Sequence, residues 1–242
     1  MMPRNDLSRK PAALIVAHGQ PSDPAPAGAE IAFLAAKVQS LMPDWHVRAA
    51  TLAEPGAIAR AVAEAGEEGL VYPLFMAGGW FTRTHLPEKL AEAGGARWTV
   101  LPPFGLDGAV QALAVDVVRE ALLVDGLVAR EATVLVAAHG SFRSPAPAEV
   151  ARDVATRLQG ELGLARVEVG FIDQSPRIAE VAAGLPADAI VLPFFAARGG
   201  HVIDDLPAAL EEAGFLGRVL PPLGLDARVP GLVRRALKAS RG

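Results

Sequence analysis

The sequence predicts an α/β protein built as two similar lobes, each a four-stranded parallel sheet flanked by helices. Three observations predict this class. Four sequence blocks recur in the same order along the chain, short apolar runs alternate with stretches of helical period, and the apolar runs are continuous, as in strands buried on both faces. The 242 residues leave room for two lobes, since domains are usually about 100–150 residues long.

The four repeated blocks define an internal duplication. Ala13–Gly19 matches Val134–Gly140, each an apolar run that ends in His-Gly, and the two histidines are 121 positions apart. The other blocks keep offsets of 119 or 120: Val71–Phe75 with Val191–Phe195, Leu86-Pro87 with Leu206-Pro207, and Val100–Asp107 with Val219–Asp226. The boundary is predicted at Asp125-Gly126, which gives lobes 1–125 and 126–242.

Each copy alternates predicted strands with predicted helices. Short apolar runs predict strands near 12–17, 46–52, 69–75 and 97–101, then 133–138, 166–172, 188–195 and 217–221. Helices rest on longer stretches of helical period near 26–42, 55–65, 84–93 and 107–123, then 146–160, 176–183, 203–213 and 226–238. In such sheets ligands bind beyond the carboxyl ends of the strands.

The composition excludes several functional classes. The chain has no cysteine, so disulfides, thiolate metal sites and thiol catalysis are excluded. A net charge of −4 argues against nucleic acid or an anionic membrane as partner. The apolar run after Arg9 and Lys10 resembles a secretory signal, but it recurs in mid-chain and is interpreted as a strand. We therefore expect a cytoplasmic protein without membrane spans. The composition does not choose between a monomer and a homodimer.

Three side chains of metal-ligand type follow strands of the second copy. His139 and Asp173 come directly after predicted strands, and His201 comes shortly after a third. Two imidazoles and one carboxylate with open positions suit Co²⁺, Fe²⁺, Ni²⁺ or Zn²⁺. The sequence therefore predicts a divalent metal site at His139, Asp173 and His201, with no organic cofactor.

The first copy is poorer in ligand types. His18 matches His139, but Leu52 aligns with Asp173, Phe81 aligns with His201, and His85 aligns with Asp205. This asymmetry predicts one site, carried mostly by the second copy.

Simpler interpretations of these residues stay open. His18 is equally well explained as a hydrogen-bonding residue of a turn. Asp173 can also serve as an N-cap for the helix after Pro176. The arginines near the predicted strand ends are either solvated surface charges or partners for a polycarboxylate ligand. They are Arg143, Arg177 and Arg198 in the second copy and Arg83 in the first.

Three motifs resemble the class II tetrapyrrole chelatases. They are Ala-His139-Gly-Ser, Val-Gly-Phe-Ile-Asp173, and Leu-Pro-Phe-Phe-Ala-Ala-Arg-Gly-Gly-His201-Val-Ile-Asp-Asp-Leu-Pro. Within that family the chain looks most like the two-lobed sirohydrochlorin cobaltochelatases and ferrochelatases of the CbiX type. The resemblance covers residues 12–123 and 133–238.

The resemblance implies insertion of Co²⁺ or Fe²⁺ into sirohydrochlorin without ATP, in cobalamin or siroheme biosynthesis, with a cobaltochelatase favoured over a ferrochelatase. His139 and His201 match the two family histidines that bind metal and accept protons. Asp173 stands where the family usually has glutamate, which is a departure. The residues expected to contact the tetrapyrrole are Arg143, Arg198, Ser141, His18 and Arg83.

Two rival functions remain at this point. A non-catalytic relative would hold or deliver a tetrapyrrole or a metal without turnover, and the shorter Asp173 favours it. A hydrolase would use Ser141 or a phosphorylated His139. The sequence lacks the Gly-x-Ser-x-Gly elbow, and Ala138 rather than arginine precedes His139, which argues against the hydrolase.

Overall fold

The computed structural model describes residues 10–241. The first copy contains β1 (Ala12–Ala17), α1 (Pro24–Leu41), β2 (His46–Thr51), α2 (Ala57–Ala65), β3 (Glu68–Pro73), α3 (Leu86–Glu92), β4 (Arg97–Val100) and α4 (Gly108–Asp125). The second contains β5 (Thr133–Ala138), α5 (Ala146–Leu162), β6 (Arg166–Phe171), α6 (Ile178–Ala182), β7 (Ile190–Pro193), α7 (Leu206–Glu212), β8 (Arg218–Val219) and α8 (Val229–Ala239). The predicted fold class is confirmed.

Two four-stranded parallel sheets carry the fold, in the orders β2-β1-β3-β4 and β6-β5-β7-β8. The central strands β1 and β5 are buried along their whole length, as their continuous apolar sequences predict. In the second sheet, Ala138 pairs with Phe171 and Ala137 pairs with Pro193. The carboxyl ends of β5, β6 and β7 therefore lie side by side, and whatever follows them meets at one edge.

Strands β7 and β8 differ most in length from the sequence prediction, whereas the other strands agree with the predicted bounds within two residues at each end. β7 ends at Pro193 rather than at 195, because the N–H of Phe195 turns back to the carbonyl of Pro193 at 3.0 Å. β8 covers two residues instead of the predicted 217–221. It lies at the edge of the sheet and pairs with β7 alone, so fewer backbone hydrogen bonds stabilise its extended conformation.

The repeated Leu-Pro blocks each follow a π-helical turn, at Phe81–His85 and His201–Asp205. In the second copy, the N–H of Leu206 bonds five residues back to the carbonyl of His201. Pro207 has no N–H to donate, and its ring crowds the carbonyl four residues back. A π-helical turn, which is wider than an α-helical one, relieves this crowding just before α7 begins. The prediction of one helix over 203–213 was wrong in this respect.

The repeated glycines of the Val-Leu-Pro-Pro-x-Gly-Leu-Asp block are required by close backbone contacts. A side-chain carbon at Gly105 would lie 2.0 Å from the carbonyl oxygen of Met76, and one at Gly224 would lie 1.9 Å from that of Ala196. Each glycine also donates its N–H to the preceding loop, to Phe75 or to Phe195. These blocks therefore hold the loops that follow β3 and β7.

The aspartate that ends each block binds the start of the last helix of its repeat. Asp107 Oδ1 accepts the N–H of Ala109 at 2.9 Å, and Asp226 Oδ1 accepts that of Arg228 at 2.8 Å. Bonds from the Arg228 guanidinium hold the pKa of Asp226 below its ordinary value. The same guanidinium bonds Glu120 of α4, so the turn that carries Asp226 is also linked to that helix.

The chain divides into two compact units whose limits differ from the repeat boundary. Within residues 10–241, one unit comprises the residues up to Pro73, Trp80–Leu101 and those from Pro230 onward; the other comprises Leu74–Gly79 and Pro102–Val229. Helix α4 packs with α5 and β7, which explains why it joins the second unit. The lobes 1–125 and 126–242 thus describe the duplication of the sequence, whereas the contacts group each final helix with the other repeat. Within residues 10–241, we find no helix with the length and apolarity needed to cross a membrane.

Candidate metal centre

His139 is presented by a tight turn at the end of β5. Gly140 adopts a φ of +72°, a left-handed conformation that residues with a side chain rarely take. A side-chain carbon there would also lie 2.7 Å from Cγ of Gln174 and 2.9 Å from Cβ of Phe171. Gly19 meets the same two restrictions in the first copy, with a φ of +76° and Thr51 at 2.7 Å. The glycine after each histidine is therefore a geometric requirement of both lobes.

The structure brings His139 and His201 together. Their ring centroids lie 4.2 Å apart with an interplanar angle of 81°. His139 comes from the end of β5, and His201 opens the π-helical turn after β7. Their side chains are 44% and 41% exposed, which leaves the pair open to an incoming ion.

Hydrogen bonds define the tautomers of both imidazoles. Nδ1 of His139 lies 2.9 Å from the carbonyl oxygen of Gly140, and Nδ1 of His201 lies 2.6 Å from Oδ2 of Asp205. Carbonyl and carboxylate oxygens accept hydrogen bonds, so in the neutral form of each imidazole Nδ1 is the donor and Nε2 keeps its lone pair. Metal-binding histidines in proteins are commonly held in this way, with one nitrogen donating to an oxygen and the other left for the metal.

Asp173 follows β6, and its Oδ2 lies 3.5 Å from Nδ1 of His139. Its backbone N–H bonds the carbonyl of His139, which fixes the two strand ends together. However, within residues 10–241 no group of three or more His, Cys, Asp or Glu side chains is arranged to hold one ion. This carboxylate lies near Nδ1 of His139, whereas the nitrogen left for a metal is Nε2. Of the three predicted ligands, His139 and His201 thus lie face to edge, and Asp173 lies beside His139.

The loop after His139 is shaped by polar bonds rather than by catalytic contacts. The N–H of Ser141 donates to Oε1 of Gln174 at 2.7 Å, and its hydroxyl accepts the N–H of Arg143 at 3.1 Å. Ser141 is therefore a turn-forming residue in this structure, which weakens the hydrolase hypothesis. Arg143 is exposed beside it, and Arg198 is exposed on the segment that leads to His201.

Arg177 and Phe142 form a second pair near this loop. The Arg177 guanidinium lies 5.7 Å from the centre of the Phe142 ring and bonds the carbonyl of Ile172. The Phe142 residue is 75% exposed, so it offers apolar surface next to the His139 turn. No role was predicted for Phe142 from sequence.

The corresponding position of the first lobe is built from aromatic rings. Nδ1 of His18 lies 2.9 Å from the carbonyl of Gly19, as in His139, but its neighbour is the ring of Phe81 at 4.5 Å. His85 occupies the position of Asp205. It stacks on Trp80, whereas Asp205 accepts a hydrogen bond from His201. The ring of Phe81 therefore faces His18 where the ring of His201 faces His139. Arg83 lies on the same turn and is exposed.

Sequence reasoning missed Asp205 and Gln174. Asp205 had a detectable signal, because a residue four positions after His201 on a helical turn lies on the same face. Gln174 had none, since its bond to Ser141 joins residues 33 positions apart.

We predict that Asp205→Ala weakens binding of Co²⁺ by about 10–100-fold, the usual cost of removing the hydrogen-bond partner of a ligand histidine. Asp205→Asn should cost less, because an amide oxygen still accepts the bond from Nδ1. Titration calorimetry with Co²⁺ measures both. Asp204→Ala is the matched control, since Asp204 is an exposed carboxylate on the same turn. Equal weakening by Asp204→Ala would show that only net charge matters.

Comparison with known proteins gives a consistent result. A family model described as CbiX matches residues 12–121 and again 133–240. A solved structure described as CbiX, the terminal enzyme for biosynthesis of siroheme in denitrifying bacteria, is 50% identical, with a TM-score of 0.88 over 95% of this chain and 99% of that one.

More distant structures share the fold. SirB from Bacillus subtilis with Fe³⁺ is 17% identical, with a TM-score of 0.76 over 96% of this chain and 95% of that one. SirB from Bacillus subtilis subspecies spizizenii in complex with cobalt, also 17% identical, has a TM-score of 0.66 over the same shares. The comparison with curated protein sequences gave no match.

Proposed function

The chain belongs to the CbiX family, and on that premise we propose that it inserts a divalent metal, Co²⁺ or Fe²⁺, into sirohydrochlorin without ATP. The observation that carries the proposal is the His139–His201 pair. Two imidazoles 4.2 Å apart, each with Nδ1 bonded to an oxygen, keep two Nε2 lone pairs in the same small region. Such a pair can bind a metal or accept a proton, and a chelatase needs both.

Nitrogen ligands of this type hold Co²⁺ and Fe²⁺ without the tight grip of thiolates. As the metal enters the macrocycle, two pyrrole N–H groups each lose a proton and their nitrogens bond the ion. The two protons balance the charge of the metal, and the Nε2 atoms of His139 and His201 are the proposed acceptors once the metal leaves them. Half-exposed side chains can then pass the protons to water.

We assign Asp173 a role beside the metal rather than a fixed coordination bond. A carboxylate 3.5 Å from Nδ1 of His139 stabilises the imidazolium that forms when that histidine accepts a proton. Moving the side chain would also let it join the metal shell, as its position in the sequence predicts. Asp173→Asn keeps the shape and removes the charge, so it tests the electrostatic part.

The remaining predicted residues are assigned to the tetrapyrrole. Arg143 and Arg198 are exposed guanidinium groups on the two loops that carry His139 and His201, and guanidinium binds carboxylate strongly. Ser141 supports Arg143 through its hydroxyl. His18 and Arg83 are the proposed contacts of the first lobe.

The metal and the pathway are ranked by two separate arguments. The sequence resemblance favours Co²⁺ as the metal that is inserted. The 50% identical relative is described as an enzyme of siroheme biosynthesis, which favours Fe²⁺ because siroheme contains iron. Two histidines accept either ion. A cytoplasmic location and a monomeric or dimeric state stay predictions.

The deciding experiment mixes the purified protein with sirohydrochlorin and Co²⁺, Fe²⁺ or Ni²⁺ without oxygen and follows the absorbance change of insertion. We expect acceleration over the protein-free reaction with Co²⁺ and Fe²⁺, and the ratio of kcat/KM values ranks the metals. Saturable tetrapyrrole binding with no acceleration by any metal would instead identify a non-catalytic carrier.

A further inference from the structure

Trp80 is an exposed aromatic side chain in a cluster of rings. It is 58% exposed, whereas the other two tryptophans, Trp45 and Trp98, are 9% and 7% exposed. His85 stacks on its indole, with centroids 4.7 Å apart and an angle of 19°. Phe81 contacts it edge to face at 5.1 Å. The indole is thus supported on one side, and its exposure leaves a flat apolar face toward solvent.

The duplication shows what this cluster replaces. Phe81 occupies the position of His201, His85 that of Asp205, Trp80 that of Gly200, and Arg83 that of Ile203. The second lobe has a metal-type imidazole and its carboxylate partner on this turn. The first lobe has, on the same turn, two aromatic rings, an imidazole stacked on one of them and a guanidinium. The exchange removes groups that bind an ion and adds groups that bind a flat anion.

We propose that the Trp80–His85 stack is a binding platform for the macrocycle of the tetrapyrrole, with Arg83 receiving one of its peripheral carboxylates. The inference rests on the proposed function and adds to it a stacking surface on the first copy, distinct from the His139–His201 pair of the second.

Two observations favour a planar conjugated ligand over an apolar protein partner. Aromatic faces bind other flat π systems with a preference for offset stacking, and the preformed Trp80–His85 stack fixes the orientation of the indole before the ligand arrives. An exposed guanidinium on the same turn matches the carboxylates of sirohydrochlorin. A purely apolar partner would gain nothing from Arg83.

The test measures binding of metal-free sirohydrochlorin to Trp80→Ala, Trp80→Leu and Trp80→Phe proteins by titration calorimetry. We expect the alanine and leucine variants to lose about tenfold in affinity, a typical contribution of one stacking ring, and the phenylalanine variant to stay near wild type. Affinity for Co²⁺ should be unchanged in all three. Phe33→Ala is the matched control, because Phe33 is an aromatic residue of α1 that is 63% exposed.

The outcomes separate this inference from the function on which it rests. Wild-type affinity in Trp80→Ala or Trp80→Leu, in a protein that still inserts metal, would overturn the platform and leave the chelatase intact. A parallel loss of Co²⁺ affinity would overturn it as well, since the variant would then disturb the fold. If tetrapyrrole binding were unchanged and light scattering showed a lower molecular mass for the variant, Trp80 would instead be assigned to a contact between two protein molecules. A wild-type protein that neither binds nor metallates the tetrapyrrole would remove the proposed function itself.

Discussion

Replacing His139 or His201 with alanine is expected to lower kcat/KM for metal insertion by about 100-fold or more, the usual contribution of a group that transfers protons in the reaction. Each histidine is assigned two tasks, metal binding and proton acceptance, so the double variant His139→Ala/His201→Ala should return to the spontaneous rate. Because both side chains are more than 40% exposed, their loss should leave the melting temperature almost unchanged. Absorbance assays and calorimetry measure the two effects separately.

The control for this prediction is His46→Ala. His46 is the first residue of β2, at the amino end of its sheet, where parallel sheets do not place their ligands. That variant should insert metal at the wild-type rate. Wild-type rates in both His139→Ala and His201→Ala would contradict the assigned roles, whatever the tetrapyrrole affinity.

Gly224→Ala is expected to lower the free energy of unfolding by about 1–3 kcal/mol or more, as overpacking of a closely packed site does. The added carbon would lie 1.9 Å from the carbonyl oxygen of Ala196, so one of the two backbones must shift. Ala196 begins the segment that leads to His201, and its displacement should therefore also weaken Co²⁺ binding. Urea denaturation and calorimetry follow stability and binding in the same preparation.

Two further glycines provide matched comparisons. Gly105→Ala makes the equivalent clash with Met76 in the other loop, so it should destabilise the protein to a similar extent while Co²⁺ binding persists. Gly160 lies in α5, and beyond the backbone of its own helix nothing comes within 4 Å of the carbon that Gly160→Ala would add, so this variant should be more stable by about 0.5–1 kcal/mol. Retained Co²⁺ affinity in a destabilised Gly224→Ala protein would show that the Ala196 loop does not position His201.

Much of this architecture was predictable because the duplication repeats its constraints. The His-Gly pairs, the Leu-Pro pairs and the Pro-Pro-x-Gly-Leu-Asp blocks each mark a place where backbone geometry leaves little choice of residue. A continuous apolar strand followed by histidine also predicted that His139 would stand at a sheet edge. Since β5 and β7 are neighbours in the sheet, His139 and His201 come within contact distance.

Other features were not predictable because they depend on distances in three dimensions. The orientation of Asp173 toward Nδ1 rather than Nε2 follows from the rotation of an imidazole about its own bonds, which spacing does not encode. The bond from Gln174 to Ser141 joins two loops and has no periodic signal. The π-helical turns required knowledge of hydrogen bonds, although the proline after each one gave a hint.

The residues that make up each compact unit also determine when that unit can finish folding during synthesis. The ribosome releases residues from the amino end, and domains tend to fold as they emerge. The unit that contains His139 and His201 has all its parts once Val229 is made, whereas the unit that begins with β1 still lacks the segment from Pro230 onward. The unit whose first residues are translated earliest is therefore the unit completed last: the His139–His201 pair has its whole unit while the turn of Trp80 still lacks helix α8.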